Sequence, residues 1–216
     1  GLDQDDYYVK FVGNNDTDGE GVWEETVKPG LKTTIDNTTM PWQLVRQADN
    51  TFKVSPVTWA DRLIGDEGTC PRPSFLPQYN ADGTETAGRK INKLLFFRNR
   101  LAILSDENII LSRPGSFFDF WSKSAFTVSG VDPIDLSCSS TTPAVLYDGI
   151  EVNTGLVLFS RTQQFMLVTD ADTLTSSTAK ITLLSTYNFL ENTRPVSVGT
   201  SIAFLNDSGT HSRLFE

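Results

Sequence analysis

Three features of this 216-residue chain predict an all-β fold of antiparallel sheets. Short runs rich in Val, Ile, Phe and Thr recur throughout, each bounded by Asn, Asp, Gly or Pro, which is how strands and their turns read. No long stretch holds the i, i+3, i+4, i+7 apolar spacing of an amphipathic helix. The best helical candidate, "SVGTSIAFL", is β-branched and carries Gly, so it reads as strand. One hairpin design also returns three times: a short apolar strand, a polar turn and a return strand. At most one or two short helices fit between these elements.

In chain order, "YYVKFV" (7–12) and "VWEETV" (22–27) read as two strands joined by the loop "GNNDTDGEG". "TFKVSPVTW" (51–59) is a further extended piece. From Asp61 the chain turns rich in Gly, Pro and polar residues, and Pro71, Pro73 and Pro77 preclude a regular central strand there. This stretch is expected to be a long ordered crossing that ends in an exposed loop near Asn80–Gly88. A boundary is placed at that loop. Residues 1–88 would form a β-rich subdomain with a long Pro/Gly-containing connection. Residues 89–216 would form propeller-like blades, with hairpin repeats near 93–121, 152–185 and 198–216.

The repeated hairpins are "LLFF-RN-RLAIL" (94–104), "LVLF-SRTQ-QFML" (156–167) and "IAFL-NDSG-THSRLFE" (202–216). Aligned on Phe97, Phe159 and Leu205, they are spaced by 62 residues (97 to 159) and 46 residues (159 to 205). A propeller blade takes about 40–50 residues, so the longer interval predicts an insertion. Within the first repeat, "KLLFFRNRLAIL" is a hairpin turning at Arg98-Asn99, "ENIILS" a third strand, "RPG" a turn and "SFFDFW" a fourth strand. The aromatics between Phe96 and Trp121 are interleaved with arginines, a pattern that can also hold single-stranded nucleic acid. Burying such side chains stabilises a fold by about 1.5–3 kcal/mol each, so they are read as core. The arginines are placed at turns and strand ends, on the surface or at interfaces.

Hydrophobic residues make up 38% and charged residues 21%, the composition of a folded protein and not of a disordered one. The net charge of −9 and pI of about 4.6 oppose a nucleic-acid binder, which needs a basic excess for phosphate contacts. No apolar run approaches the ~18 residues of a membrane span. "GLDQDDYYVKF" lacks the basic and apolar regions of a signal peptide. Both ends look cut, since a strand begins almost at once and "THSRLFE" stops inside an apolar alternation; the chain is expected to be a fragment. Cys70 and Cys138 form neither a disulfide framework nor a zinc pattern. Two free buried thiols is the more ordinary reading, with a single bridge left open.

Candidate chemistry is sparse. Asn14, Asp16, Asp18, Gly19 and Glu25 fall at the ligand and turn positions of a calcium loop, where alternate oxygen ligands wrap the ion. Gly21, however, replaces the usual aliphatic residue and both flanks read as strands, so an acidic hairpin tip is expected. The acid pairs Asp5-Asp6, Asp66-Glu67 and Asp106-Glu107 could supply a glycosidase only if two carboxyls faced each other across a cleft. In turn-like sequence such acids are usually solvated. Asp132 and Asp135 in "VDPIDLS" are expected to brace a turn. A Ser-His-Asp triad would have to use His211, the single histidine. Phosphate-loop, nucleophile-elbow and zinc-protease motifs are missing from the sequence. The chain is therefore predicted not to be an enzyme, with no catalytic, cofactor-binding or metal residue assigned and no cofactor expected.

Several phrases occur together in order: "YYVKF…VWEETVKPG", "TMPWQLVR", "NTFKV", "GDEGTCPRPSF", "INKLLFFRNRLAILSDENIILSRPGSFFDFW" and "DPIDLSCSS". This set, from about Tyr7 to Phe204, resembles the tail tubular protein B family, the nozzle proteins of short-tailed bacteriophages. Cys70 stands where the family pattern has Asn. The resemblance implies a long all-β chain with propeller-like sheets, six copies of which form the distal tail tube in the virion after assembly in the host cytoplasm. It implies as partners a homo-hexameric ring, the adaptor ring (tail tubular protein A) and the tail fibres. It also implies transient, non-specific passage of double-stranded DNA and contact with the host outer envelope at ejection. An acidic lumen would then let phosphates slide instead of sticking. Two alternatives stand beside this reading: a tail-associated glycan or cell-wall hydrolase, and a propeller-type module binding glycan or protein.

Overall fold

Apolar runs that the sequence leaves unbroken become strands buried on both faces. The computed structural model describes residues 7–15, 19–80, 82–138, 142–207 and 209–216, and among these there is no helix. Two hairpin ribbons come first: β1 (Tyr8–Gly13) with β2 (Gly21–Thr26), and β3 (Trp42–Arg46) with β4 (Phe52–Pro56). A four-stranded meander follows, β5 (Ile91–Phe97), β6 (Arg100–Ser105), β7 (Asn108–Leu111) and β8 (Ile134–Ser137), paired in that order. The second meander is β9 (Leu146–Val152), β10 (Gly155–Ser160), β11 (Gln164–Thr169) and β12 (Ala179–Ser185). The third sheet has three strands, β13 (Val196–Val198), β14 (Ser201–Asp207) and β15 (Ser212–Phe215). Every strand pairing within these sheets is antiparallel. The sheets are small and separate, and do not close into a ring.

Side-chain alternation explains the layering. Leu101, Ile103 and Ile110 of the first meander pack on Met40, Trp59, Phe75 and Trp121. The alternate residues Ala102, Leu104, Ile109 and Leu111 pack on Leu156, Leu158, Phe165 and Leu167 of the second meander. The other face of β10, Val157 and Phe159, meets Phe189 and then Ile202 and Phe204 of the third sheet. "RLAILS" and "GLVLFS" are thus fully buried strands between two layers. Residues on both sides of position 88 share one of these cores. Gly149 permits the close approach of the meanders, since a Cβ there would lie 2.8 Å from Leu95 Cδ1.

The expected turn at Arg98-Asn99 is present. Both residues are left-handed, at φ 45° and 59°, which is the two-residue turn whose twist suits a hairpin. The long crossing is ordered as expected. Val27 bridges Gly65, Cys70 and Phe75 are buried, and residues 82–90 are exposed.

Four readings are corrected. "SFFDFW" is not the fourth strand; "IDLS" is, as β8. Arg113 and Ser116 bridge a tight turn, and the Asp119 carboxylate accepts from the Trp121 amide, so the backbone curls. Curling puts Phe120 and Trp121 into the same core, where a strand would send neighbours to opposite faces. Secondly, Phe97 does not correspond to Phe159. Phe97 ends the first strand of its sheet, whereas Phe159 and Leu205 lie in second strands. Matched on the second strands β6, β10 and β14, the intervals are 55 (100 to 155) and 46 (155 to 201) residues, so the expected insertion remains, as the long β7–β8 connection over 112–133. Thirdly, β3 pairs with β4 although "PWQLVR" was not read as a strand. Fourthly, Arg100 is not a surface residue. It is 2% exposed, and its guanidinium donates to the carbonyls of Ser112 and Asp132 at 2.7 Å and of Gly130 and Leu174 at 3.3 Å. The aromatics divide: Phe97, Phe120 and Trp121 are core, whereas Phe96 and Phe118 are exposed.

Candidate functional site

Among the described residues, Asp66, Glu67, Asp106, Asp132 and Asp135 are held in turns, hydrogen bonds and ion pairs. Asp66 caps its own turn, accepting from the Gly68 and Thr69 amides. Burial pushes its carboxyl up, but these hydrogen bonds outweigh that and hold it below the usual range. Glu67 is 2.7 Å from Arg62 and 3.6 Å from Arg72. Arg72 also reaches Glu85 at 3.0 Å and stacks over the Tyr79 ring at 3.9 Å. That network pins the long crossing. Asp106 sits in a turn at φ 48° with Arg89 at 3.9 Å. Asp132 braces a turn as expected, accepting from the Ser129 amide at 2.7 Å. Asp135 instead reaches across from β8 to Ser74, whose amide and hydroxyl both donate to it, and to Asn108.

Glu25, the last position of the calcium-loop pattern, is engaged elsewhere. Its carboxylate accepts from the Ser124 hydroxyl and the Ala125 amide, both at 2.8 Å, and so braces β2 against a distant loop. Asp16 and Asp18 lie outside the described residues, as do Asp5 and Asp6. Among the described residues no group of three His, Cys, Asp or Glu side chains could hold a metal ion. His211 is exposed, with a ring nitrogen 2.9 Å from the Thr210 hydroxyl. Cys70 and Cys138 are both free and buried. Burial pushes both thiols up, Cys138 to about 12.

Two kinds of surface were not legible in the sequence. The first is apolar. In β3–β4 the opposed pair Leu44 and Val54, with Trp42 and Phe52, forms one ribbon face that is more than half exposed. In β1–β2 Phe11 and Trp23 face each other across the strands, both exposed. The second is a groove of about 850 Å³ along the start of β5. Buried Met40 and Phe75 and half-buried Leu76 line its floor, exposed Leu94 continues the apolar surface, and exposed Arg89, Lys90 and Arg194 stand at its rim.

This arrangement offers packed layers and contact surfaces, and Asp66, Glu67, Asp132 and Asp135 serve turns and ion pairs within it. A family model described as bacteriophage nozzle protein matches residues 2–216. The chain belongs to the bacteriophage nozzle protein family. It is similar to the tail tubular protein gp12 of Escherichia phage T7, with 35% identity over 200 residues, 93% of this chain and 23% of that relative. The chain thus spans less than a quarter of the length of the curated relative it matches. As a nozzle-family chain it is a structural component of a phage tail and part of the virion.

Proposed function

We propose that this chain forms part of the wall of the distal tail tube of a short-tailed phage, through which the genome is ejected and to which tail fibres are anchored. The observation that carries this reading is the family match over nearly the whole chain. Six copies form the ring in this reading, assembled in the host cytoplasm below the adaptor ring, and double-stranded DNA passes without sequence-specific contact toward the host envelope. The layered sheets support it physically. A tube wall must keep its bore under load, and close-packed layers buried on both faces deform little. In the longer protein these layers would be blades of a propeller. The half-exposed ribbon faces of β1–β2 and β3–β4 suit contacts with neighbouring tail proteins, because apolar patches of this kind mark interaction sites. The net charge of −9 suits a lumen that repels phosphate, and a lumen lined mainly by Lys and Arg would remove that part of the reading.

Electron microscopy of phage particles labelled with an antibody against this chain tests the proposal, together with mass spectrometry of denatured virions. Label at the tail tip that is missing from tail-less particles is expected. Tailed virions that carry neither label nor peptides of the chain would overturn it.

A further inference from the structure

We propose that β5 is a docking edge for an extended acidic polypeptide segment, which adds to it as a further strand and lies in the groove beside it. The inference goes beyond the tail-tube reading and does not rest on it.

Strand order leaves β5 at an edge of its sheet, with β6 as its single strand neighbour. An edge strand presents unpaired N–H and C=O groups, which an extended peptide can extend into a ladder. Proteins often guard such edges with lysine. Here Lys93 does not stand guard, because its amine is turned to Asp148 of the second meander at 2.6 Å. What β5 does present outward is apolar, with Leu94 42% and Phe96 67% exposed. The groove alongside continues this surface through Met40, Phe75 and Leu76.

The charge at the rim selects the partner. The chain carries a net −9, yet Arg89, Lys90 and Arg194 gather here from two distant segments. Arg89 is engaged within the chain, 3.9 Å from Asp106 and donating to the Asn108 side-chain oxygen at 3.1 Å, which leaves Lys90 and Arg194 as the cations offered outward. Glu191, the carboxylate that Lys90 influences, is already taken by Arg161 at 2.7 Å. An acidic segment with alternating apolar residues satisfies all of these features. Its apolar side chains cover Leu94 and the floor, its carboxylates meet Lys90 and Arg194, and its backbone pairs with β5. A nucleic-acid strand would satisfy the cations and leave the apolar floor uncovered.

Fluorescence anisotropy tests this with a short labelled peptide of alternating Glu and Val, its Lys and Val counterpart, a backbone N-methylated version of the Glu peptide, and duplex DNA. The whole chain should bind the Glu peptide saturably and ignore the other three. Combined Lys90→Glu and Arg194→Glu, both on exposed side chains, should weaken that binding by about tenfold or more. Circular dichroism unchanged from wild type confirms that the variant folds. Three outcomes would each overturn the proposal: no saturable binding of the Glu peptide, equal binding of the N-methylated peptide, or duplex DNA binding with the same sensitivity to the double variant.

Discussion

The Lys93 amine lies 2.6 Å from the Asp148 carboxylate and so ties the first strand of one meander to the first strand of the next. Asp148 is 5% exposed and otherwise accepts from the Gly149 amide at 2.8 Å. Removing the amine strands a buried charge, which costs more than the pair itself contributes. Lys93→Met should lower unfolding free energy in urea by about 2–3 kcal/mol. Adding Asp148→Asn should recover most of that loss. A double variant no more stable than Lys93→Met would argue that the pair does not join the sheets.

Arg100 joins the same layers by a different route. Its carbonyl acceptors come from the end of β7, from the loop before β8 and from Leu174 between β11 and β12. Burial, with Arg113 nearby, pushes the guanidinium below its ordinary value, while Asp132 opposes the shift. Arg100→Met leaves several buried carbonyls without a donor and should cost about 3–5 kcal/mol in the same urea titration. Arg100→Lys should recover only part, because a single nitrogen cannot span the fork. Full stability in the Met variant would show that water replaces the guanidinium.

Both thiols should be inert in the native state. Cys70 and Cys138 are each 1% exposed, and burial holds Cys138 protonated up to about 12. A disulfide reagent at neutral pH should therefore label neither thiol natively and both after denaturation. The linkage has a definite sign. A folded pKa above the unfolded one gives stability that is complete below the unfolded value of about 8.5. That stability is lost as pH rises from there toward the folded value of about 12. Cys138→Ala should reduce this alkaline loss. Rapid native labelling of Cys138 would contradict its burial.

How far the sequence reveals the fold can be judged from single segments. "RLAILS" and "GLVLFS" carry no polar alternation, which suits a strand covered on both sides, and both are such strands. "RN" after "LLFF" gave the turn because Arg98 and Asn99 follow a strand and precede another. "SFFDFW" misled because its aromatic alternation mimics a strand, while the Pro114-Gly115 turn and the Asp119 side chain bend it. Its replacement, β8, is four residues long and follows Pro133, so nothing local announces it. The groove was less legible still. Arg194 and Lys90 are separated by two whole sheets in sequence, and only folding brings them to one rim.

One local signal recurs three times in the sequence: Asp-x-Thr in "IDNTT", "ADNTF" and "ADGTE". In each, the carboxylate accepts from the hydroxyl and amide of the Thr two residues on, as Asp36 does from Thr38, Asp49 from Thr51 and Asp82 from Thr84. The Thr hydroxyls and then the Thr amides hold all three carboxyls below their usual range. A lowered folded pKa gives stability that is complete above the unfolded value of about 3.9 and lost as pH falls through the folded one. The turns should thus hold down to about pH 4 and loosen below it. Carboxyl NMR titration should find Asp49 ionising below the ordinary value, and Thr51→Val should move it back up. An Asp49 titration unchanged by Thr51→Val would break the link between this turn and acid stability.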